Sequence, residues 1–216
     1  IGPIGSHADH APAALAERCS IFALGFGNAK IADGDIDPAI NAHADAVGGV
    51  VGAAELAVFV NPLSAAVALI TTASYVLFYT PLKLRTSFSS IAGALRGALP
   101  AVIGWAAATN TLSIEGWVLF GIVFMWQMPH FLAIAWMYRD EYARAGMPLL
   151  PVIEPDGRST GRQAVLYSAV LVPISMLPTG VGLATAYYLV GAITLGAVLL
   201  FMSIEFSAKR DLPTAR

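Results

Sequence analysis

Apolar residues along the chain gather into long runs separated by short polar breaks. The runs cover about 45–60, 63–79, 88–108, 114–137, 163–180 and 184–206. A helix that crosses a bilayer needs about 20 apolar residues, with a range of roughly 17–25. The pattern therefore predicts an all-α fold, a polytopic transmembrane helical bundle of about six membrane helices. The breaks carry helix punctuation. Asn61-Pro62 reads as an N-cap followed by proline at the first helical position. Tyr79-Thr80-Pro81 closes the second run. A polar stretch rich in charge, Gly and Pro spans 138–162, and the tail from Ala208 to Arg216 is polar. Residues 1–44 hold no long apolar run, since 19–27 is too short to span. They are set apart as a loop-like, atypical segment preceding a membrane domain over 45–216.

Composition agrees with lipid as the main solvent. Of 216 residues, 57% are hydrophobic and 12% charged, and mean hydropathy is +0.70. Soluble domains carry about 25% charged residues, so the chain lacks the charge to cover a water-facing surface. The formal net charge of -2 gives no sign of nucleic-acid binding. One cysteine, Cys19, excludes an internal disulfide framework. The basic residues fall on alternate connections. Lys83 and Arg85 follow the second run, Arg139, Arg144, Arg158 and Arg162 the fourth, and Lys209, Arg210 and Arg216 the sixth. The other connections hold no Lys or Arg. Six helices put every basic loop on one side, which the positive-inside rule makes cytoplasmic.

Four stretches carry candidate chemistry, each with a plainer alternative. In Tyr79-Thr80-Pro81-Leu82-Lys83-Leu84-Arg85 a helix ends and presents two cations, suited either to a diphosphate or to simple anchoring at the headgroups. In Trp126-Gln127-Met128-Pro129-His130 helical spacing sets Gln127, His130, Ile134 and Tyr138 on one stripe, with Trp126 and His130 four apart. Polar groups on a lipid-embedded helix are costly unless they line a cavity or meet another helix. Pro129 also frees the carbonyl of Met125. The third stretch begins Tyr138-Arg139-Asp140-Glu141-Tyr142. Its carboxylates suit Mg²⁺, which is commonly held by one or two carboxylates plus substrate phosphate; a solvated loop with internal ion pairs is the alternative. The fourth holds Asn28, Asp33 and Asp37. If helical, the two aspartates share a face, as a Mg²⁺-diphosphate clamp needs; otherwise it is an acidic turn before Pro38.

Together these segments resemble the heme O synthases, the protoheme IX farnesyltransferases among the UbiA-type intramembrane prenyltransferases. The resemblance rests on Tyr79 through Thr86, Gly97-Ala98-Leu99-Pro100 with Ile103-Gly104-Trp105, Trp126-Gln127 with Pro129-His130-Phe131, and Tyr138-Arg139 through Pro151, in that order and at matching spacing. It covers about residues 56–212. It implies transfer of a farnesyl group from farnesyl diphosphate to a vinyl group of protoheme IX (heme B, the second substrate), giving heme O, with Mg²⁺ bridging the diphosphate. It implies a multi-pass protein of the cell inner membrane, with a heme A synthase or a terminal oxidase assembly as downstream partners. On this resemblance Lys83, Arg85, Tyr79 and Arg139 bind diphosphate, and Asp33, Asp37 and Asp140 hold the metal. Gln127, His130 and Tyr138 line the reacting pocket, where His130 serves pocket polarity, proton transfer or a heme contact. Asn28, Glu141, Tyr142, Arg96 and Trp126 are second in rank. The chain departs from the family pattern in three ways. It shows about six of some nine helices. The first acidic motif is echoed one residue out of register, without the arginines that follow it. Arg96 stands mid-helix, where it points into the cavity or marks damage. The resemblance thus reads as an incomplete member, with 1–44 a degraded or frame-shifted segment; the upstream coding DNA, read in all frames, tests this. The rivals are a quinone or chlorophyll-type acceptor and a non-catalytic heme-binding or remnant membrane protein.

Overall fold

A computed structural model describes residues 38–74, 77, 89–144, 146 and 148–209. Among these, eight helices form: α1 Pro38–Phe59, α2 Pro62–Ser74, α3 Ser89–Thr109, α4 Ile114–Met137, α5 Arg139–Arg144, α6 Leu150–Ile153, α7 Arg158–Gly180 and α8 Ala186–Lys209. Every described element is helical, as lipid demands of a chain that must satisfy its own backbone. Four helices are long and apolar enough to cross a membrane: α3 from Ser90, α4, α7 and α8. Ala46–Phe59 of α1 and Pro62–Ser74 are shorter apolar helices. The predicted six runs thus appear as four full spans and two shorter apolar helices. Only 17–28% of the most apolar stretch of each full span is buried within the protein. Large side chains such as Val58, Leu195 and Phe201 lie exposed, as a lipid-facing surface requires.

Three helices overrun their apolar stretches. α1 starts at Pro38 rather than 45, α7 at Arg158 rather than 163, and α8 runs to Lys209 rather than 206. Hydropathy marks the part of a helix inside the hydrocarbon, whereas the hydrogen-bond ladder continues into the interface. At roughly 1.5 Å per residue, the 24 residues of α4 reach about 36 Å, beyond a core of about 30 Å.

The helices pack in series: α1 on α2, α2 on α3, α3 on α4, α4 on α7, and α7 on α8. The turn at Asn61 holds the first three together. Asn61 Oδ1 accepts the Ser64 N–H at 2.8 Å, the predicted N-cap. Its Nδ2 donates to the carbonyls of Ala106 (2.9 Å) and Ala107 (3.2 Å) near the end of α3. One side chain thus caps one helix start and adds a donor in the last turn of another, where the Ala106 carbonyl also accepts the Asn110 N–H. Between α3 and α4, Trp105 Nε1 donates to Ser113 Oγ at 2.8 Å. A Cβ on Gly116 would lie 2.9 Å from Cγ and Cδ1 of that indole. Between α7 and α8 the hydroxyls of Ser168 and Ser203 share a buried hydrogen bond of 2.8 Å. The hydroxyls of Thr71 and Thr72 donate to Val67 and Ala68 carbonyls in their own helix, which removes the cost of burying them.

The ends of α4, α7 and α8 meet in one cluster. Leu132 and Trp136 from α4, Ala164 from the start of α7 and Phe206 from the end of α8 pack together, with Leu150 and Tyr167 beside them. Arg139, Arg144, Arg158, Arg162 and Lys209 therefore share one side of the bundle, while Lys83, Arg85, Arg210 and Arg216 of the same expectation lie outside the described residues.

Two measurements follow on purified protein unfolded in a detergent series. Asn61→Ala is expected to cost about 1–2 kcal/mol. Asn61→Ser, which caps α2 but cannot reach α3, should fall between it and wild type; a serine variant as stable as wild type would remove the interhelical bonds from the account. Gly116→Ala should cost about 1–3 kcal/mol, because the root of the Trp105 ring cannot swing aside. Unchanged stability there would show that α3 and α4 separate freely.

Candidate functional site

The long fourth helix carries Trp126, Gln127 and His130 and is capped by Tyr138. It places Trp126 and His130 one turn apart, and their rings stack with centroids 5.2 Å apart and planes 11° from parallel. Phe131 lies against His130 at 6.0 Å, tilted by 41°. Trp126 is 48% exposed and His130 is also exposed. Gln127 turns elsewhere, toward α3. A Cβ on Gly97 would lie 2.7 Å from its Nε2 and 2.8 Å from its Oε1, so the bare glycine is what admits the amide. Gln127 Oε1 is buried and has no hydrogen-bond partner among the described residues. A buried acceptor left unpaired costs about 1–3 kcal/mol. Arg96, the residue before Gly97, is half-buried on the same helix. Pro129 is buried and sits inside α4, where it leaves the Met125 carbonyl without its usual partner.

The predicted stripe of Gln127, His130, Ile134 and Tyr138 therefore divides. Gln127 faces α3, His130 stacks on Trp126 on an exposed face, and Tyr138 is the C-cap of α4, its N–H bonded to the Ile134 carbonyl. Tyr138 is 50% exposed.

Past Tyr138 the short helix α5 presents the charged residues. Arg139 Nε lies 3.8 Å from Asp140 Oδ1, and the Asp140 side chain is 81% exposed. Glu141 pairs with Arg144 at 3.6 Å. Such exposed pairs stabilise little, so both carboxylates remain open to a cation. Tyr142 sits in the same turn, its N–H on the Tyr138 carbonyl. No group of three or more metal-ligating side chains occurs among the described residues. Asp140 is one oxygen donor suited to Mg²⁺, which needs only one or two carboxylates beside phosphate. Asn28, Asp33, Asp37, Tyr79, Lys83 and Arg85 lie outside the described residues.

Two further residues shape this region, and the sequence reading passed over both. Trp136 is only 4% exposed, and the Arg139 guanidinium sits 4.5 Å from its ring centroid. Gly157 caps α7 at φ +70°, a left-handed backbone that suits glycine. A Cβ there would lie 2.6 Å from Cη2 and Cζ3 of Trp136. The spacing of Trp136 and Arg139, three apart at a helix end, and the Asp156-Gly157 turn before α7 were the available signals.

Comparison with known proteins places this geometry. The sequence profile of the UbiA prenyltransferase family matches residues 30–216, a span that begins inside the segment set apart as atypical. A protoheme IX farnesyltransferase of Solibacter usitatus is 49% identical over 167 residues, 77% of this chain and 57% of the relative. One from Koribacter versatilis is 43% identical over 164 residues, 76% of this chain and 53% of the relative. One from Rhodopirellula baltica is 37% identical over 197 residues, 88% of this chain and 69% of the relative. The chain spans little more than half the length of the first two. No solved structure matches it. With the family profile covering most of a multi-pass helical chain, the protein belongs to the UbiA prenyltransferase family.

Proposed function

We propose that this chain carries the heme O synthase reaction: transfer of farnesyl from farnesyl diphosphate to a vinyl group of protoheme IX. The observation that carries the reading is the 49% identity over 167 residues with a protein named protoheme IX farnesyltransferase. The allylic C–O bond breaks and diphosphate leaves. The vinyl carbon bonds to the allylic carbon, and the resulting cation takes up water and loses a proton, leaving a hydroxyethylfarnesyl group.

Charge at the basic face is suited to the leaving group. Arg139, with Lys83, Arg85 and Tyr79, would hold the diphosphate by charge-assisted hydrogen bonds. Asp140, with Asp33 and Asp37, would hold Mg²⁺, which would neutralise charge as it builds on the departing diphosphate. Glu141, Tyr142 and Asn28 stand close to these groups in sequence and would support them. Gln127, with Arg96 near it, would meet the substrates from the α3–α4 contact, whereas His130, stacked on Trp126, and Tyr138 would meet heme and prenyl chain from the exposed face of α4. The unpaired Gln127 oxygen supports a substrate-facing role, since a bound group with a donor would complete it. Apolar helix faces would shelter the carbocation from early attack by water. The site would open on the cytoplasmic side of the inner membrane, and heme O would pass to a heme A synthase or a terminal oxidase assembly.

Membranes containing the chain, supplied with protoheme IX, farnesyl diphosphate and Mg²⁺, should form heme O. Chelation of the metal should abolish the product. Asp140→Asn and Lys83→Ala should each lower the rate at least ~10-fold, about the effect of losing one charge-assisted contact. A Soret shift without product would instead identify a heme-binding protein, and equal rates in wild type and Lys83→Ala would remove Lys83 from the diphosphate site.

A further inference from the structure

The polar stretch between α4 and α7 holds Arg139, assigned to diphosphate, and Asp140, assigned to Mg²⁺, yet its own ion pairs are too exposed to orient them. Asp140 is 81% exposed and 3.8 Å from Arg139, a contact that contributes little in water. The Arg139 guanidinium has a firmer neighbour in the Trp136 ring, 4.5 Å away. A planar guanidinium over an indole face combines cation–π attraction with stacking.

That indole is itself fixed. It is 4% exposed and packs in one cluster with Leu132, Ala164 and Phe206. The Phe206 ring meets it edge-on, with centroids 6.0 Å apart and planes at 74°. The start of α7 rests on its far edge at Gly157, where any side chain would collide with Cη2 and Cζ3. The stretch from 138 to 157 thus leaves from beside Trp136 and returns to it.

We infer that Trp136 is a positioning residue, a buried indole whose face orients Arg139 for diphosphate while its edge seats the N-terminus of α7 through Gly157. The inference rests on the diphosphate role given to Arg139 above. Trp136 touches no substrate; it acts through Arg139.

The test compares Trp136→Leu, Trp136→Phe, Arg139→Gln, Arg139→Lys and the double variant Trp136→Leu/Arg139→Gln in membranes. Two quantities are read: the KM for each substrate, and the affinity of the solubilised protein for inorganic diphosphate with Mg²⁺. Trp136→Leu should raise the farnesyl diphosphate KM and weaken inorganic diphosphate about tenfold, the scale of one desolvated cation–π contact. The protoheme KM should stay within about twofold of wild type, since only the anion site is disturbed. Trp136→Phe, which keeps a ring face, should recover most of the affinity. The double variant should be no weaker than Arg139→Gln alone, because both changes remove one interaction. Arg139→Lys keeps the charge but not the planar stack, and should match Trp136→Leu; it decides the matter if the leucine variant fails to accumulate.

Additive losses in the double variant, equal rises in both KM values, or wild-type affinity in Arg139→Lys would overturn the inference while leaving the proposed reaction standing. A wild-type chain that neither binds inorganic diphosphate nor makes heme O would overturn both.

Discussion

Close approach between helices is the constraint on which the rest depends. In lipid, apolar side chains gain nothing by leaving their surroundings for one another, so association relies on tight packing and a few interhelical hydrogen bonds. Small residues make that possible here. A Cβ at Gly49 in α1 would overlap Thr72 in α2, and one at Gly161 in α7 would lie 2.8 Å from the Ser207 backbone in α8. Gly97 and Gly116 do the same between α3 and α4. The buried core is accordingly rich in alanine, serine and threonine, with few large side chains. The large apolar groups face outward, the reverse of a water-soluble protein.

The same constraint explains why the site is divided as it is. α4 packs against both α3 and α7, so its surface is shared between two neighbours and a free face. Gln127 goes to the α3 contact and Trp136 to the α7–α8 contact, while Trp126 and His130 keep the exposed face. A helix with one protein-facing side would have grouped these residues; a helix between two partners separates them.

Much of this was legible in the sequence. Run length gave the helices, because a lipid-crossing helix must be apolar for its whole immersed length. Asn61-Pro62 gave a cap, and spacing gave the Trp126–His130 pair, since each depends only on local geometry. The start of α1 at Pro38 and of α7 at Arg158 was not legible, because helical hydrogen bonding continues where hydropathy stops. The direction of Gln127 was hidden as well. A stripe four residues wide spans enough arc for its members to face different neighbours, and only the position of α3 decides between them. Trp136 looked like one more apolar residue; its weight comes from Phe206 and Gly157, 70 and 21 positions further along the chain.

Asn61 has a consequence for how the first three helices are levelled. Its oxygen caps α2 as soon as that helix forms, but its two amide hydrogens are matched only by carbonyls 45 and 46 residues later. The α1–α2 turn is closed by its own bonds, with the N–H groups of Val60 and Asn61 both on the Leu56 carbonyl. What Asn61 adds is a tie to α3, which sets the start of α2 level with the last turn of that helix. A change in the length of α3 would therefore carry the α1–α2 pair with it, because the two ends are joined at one height.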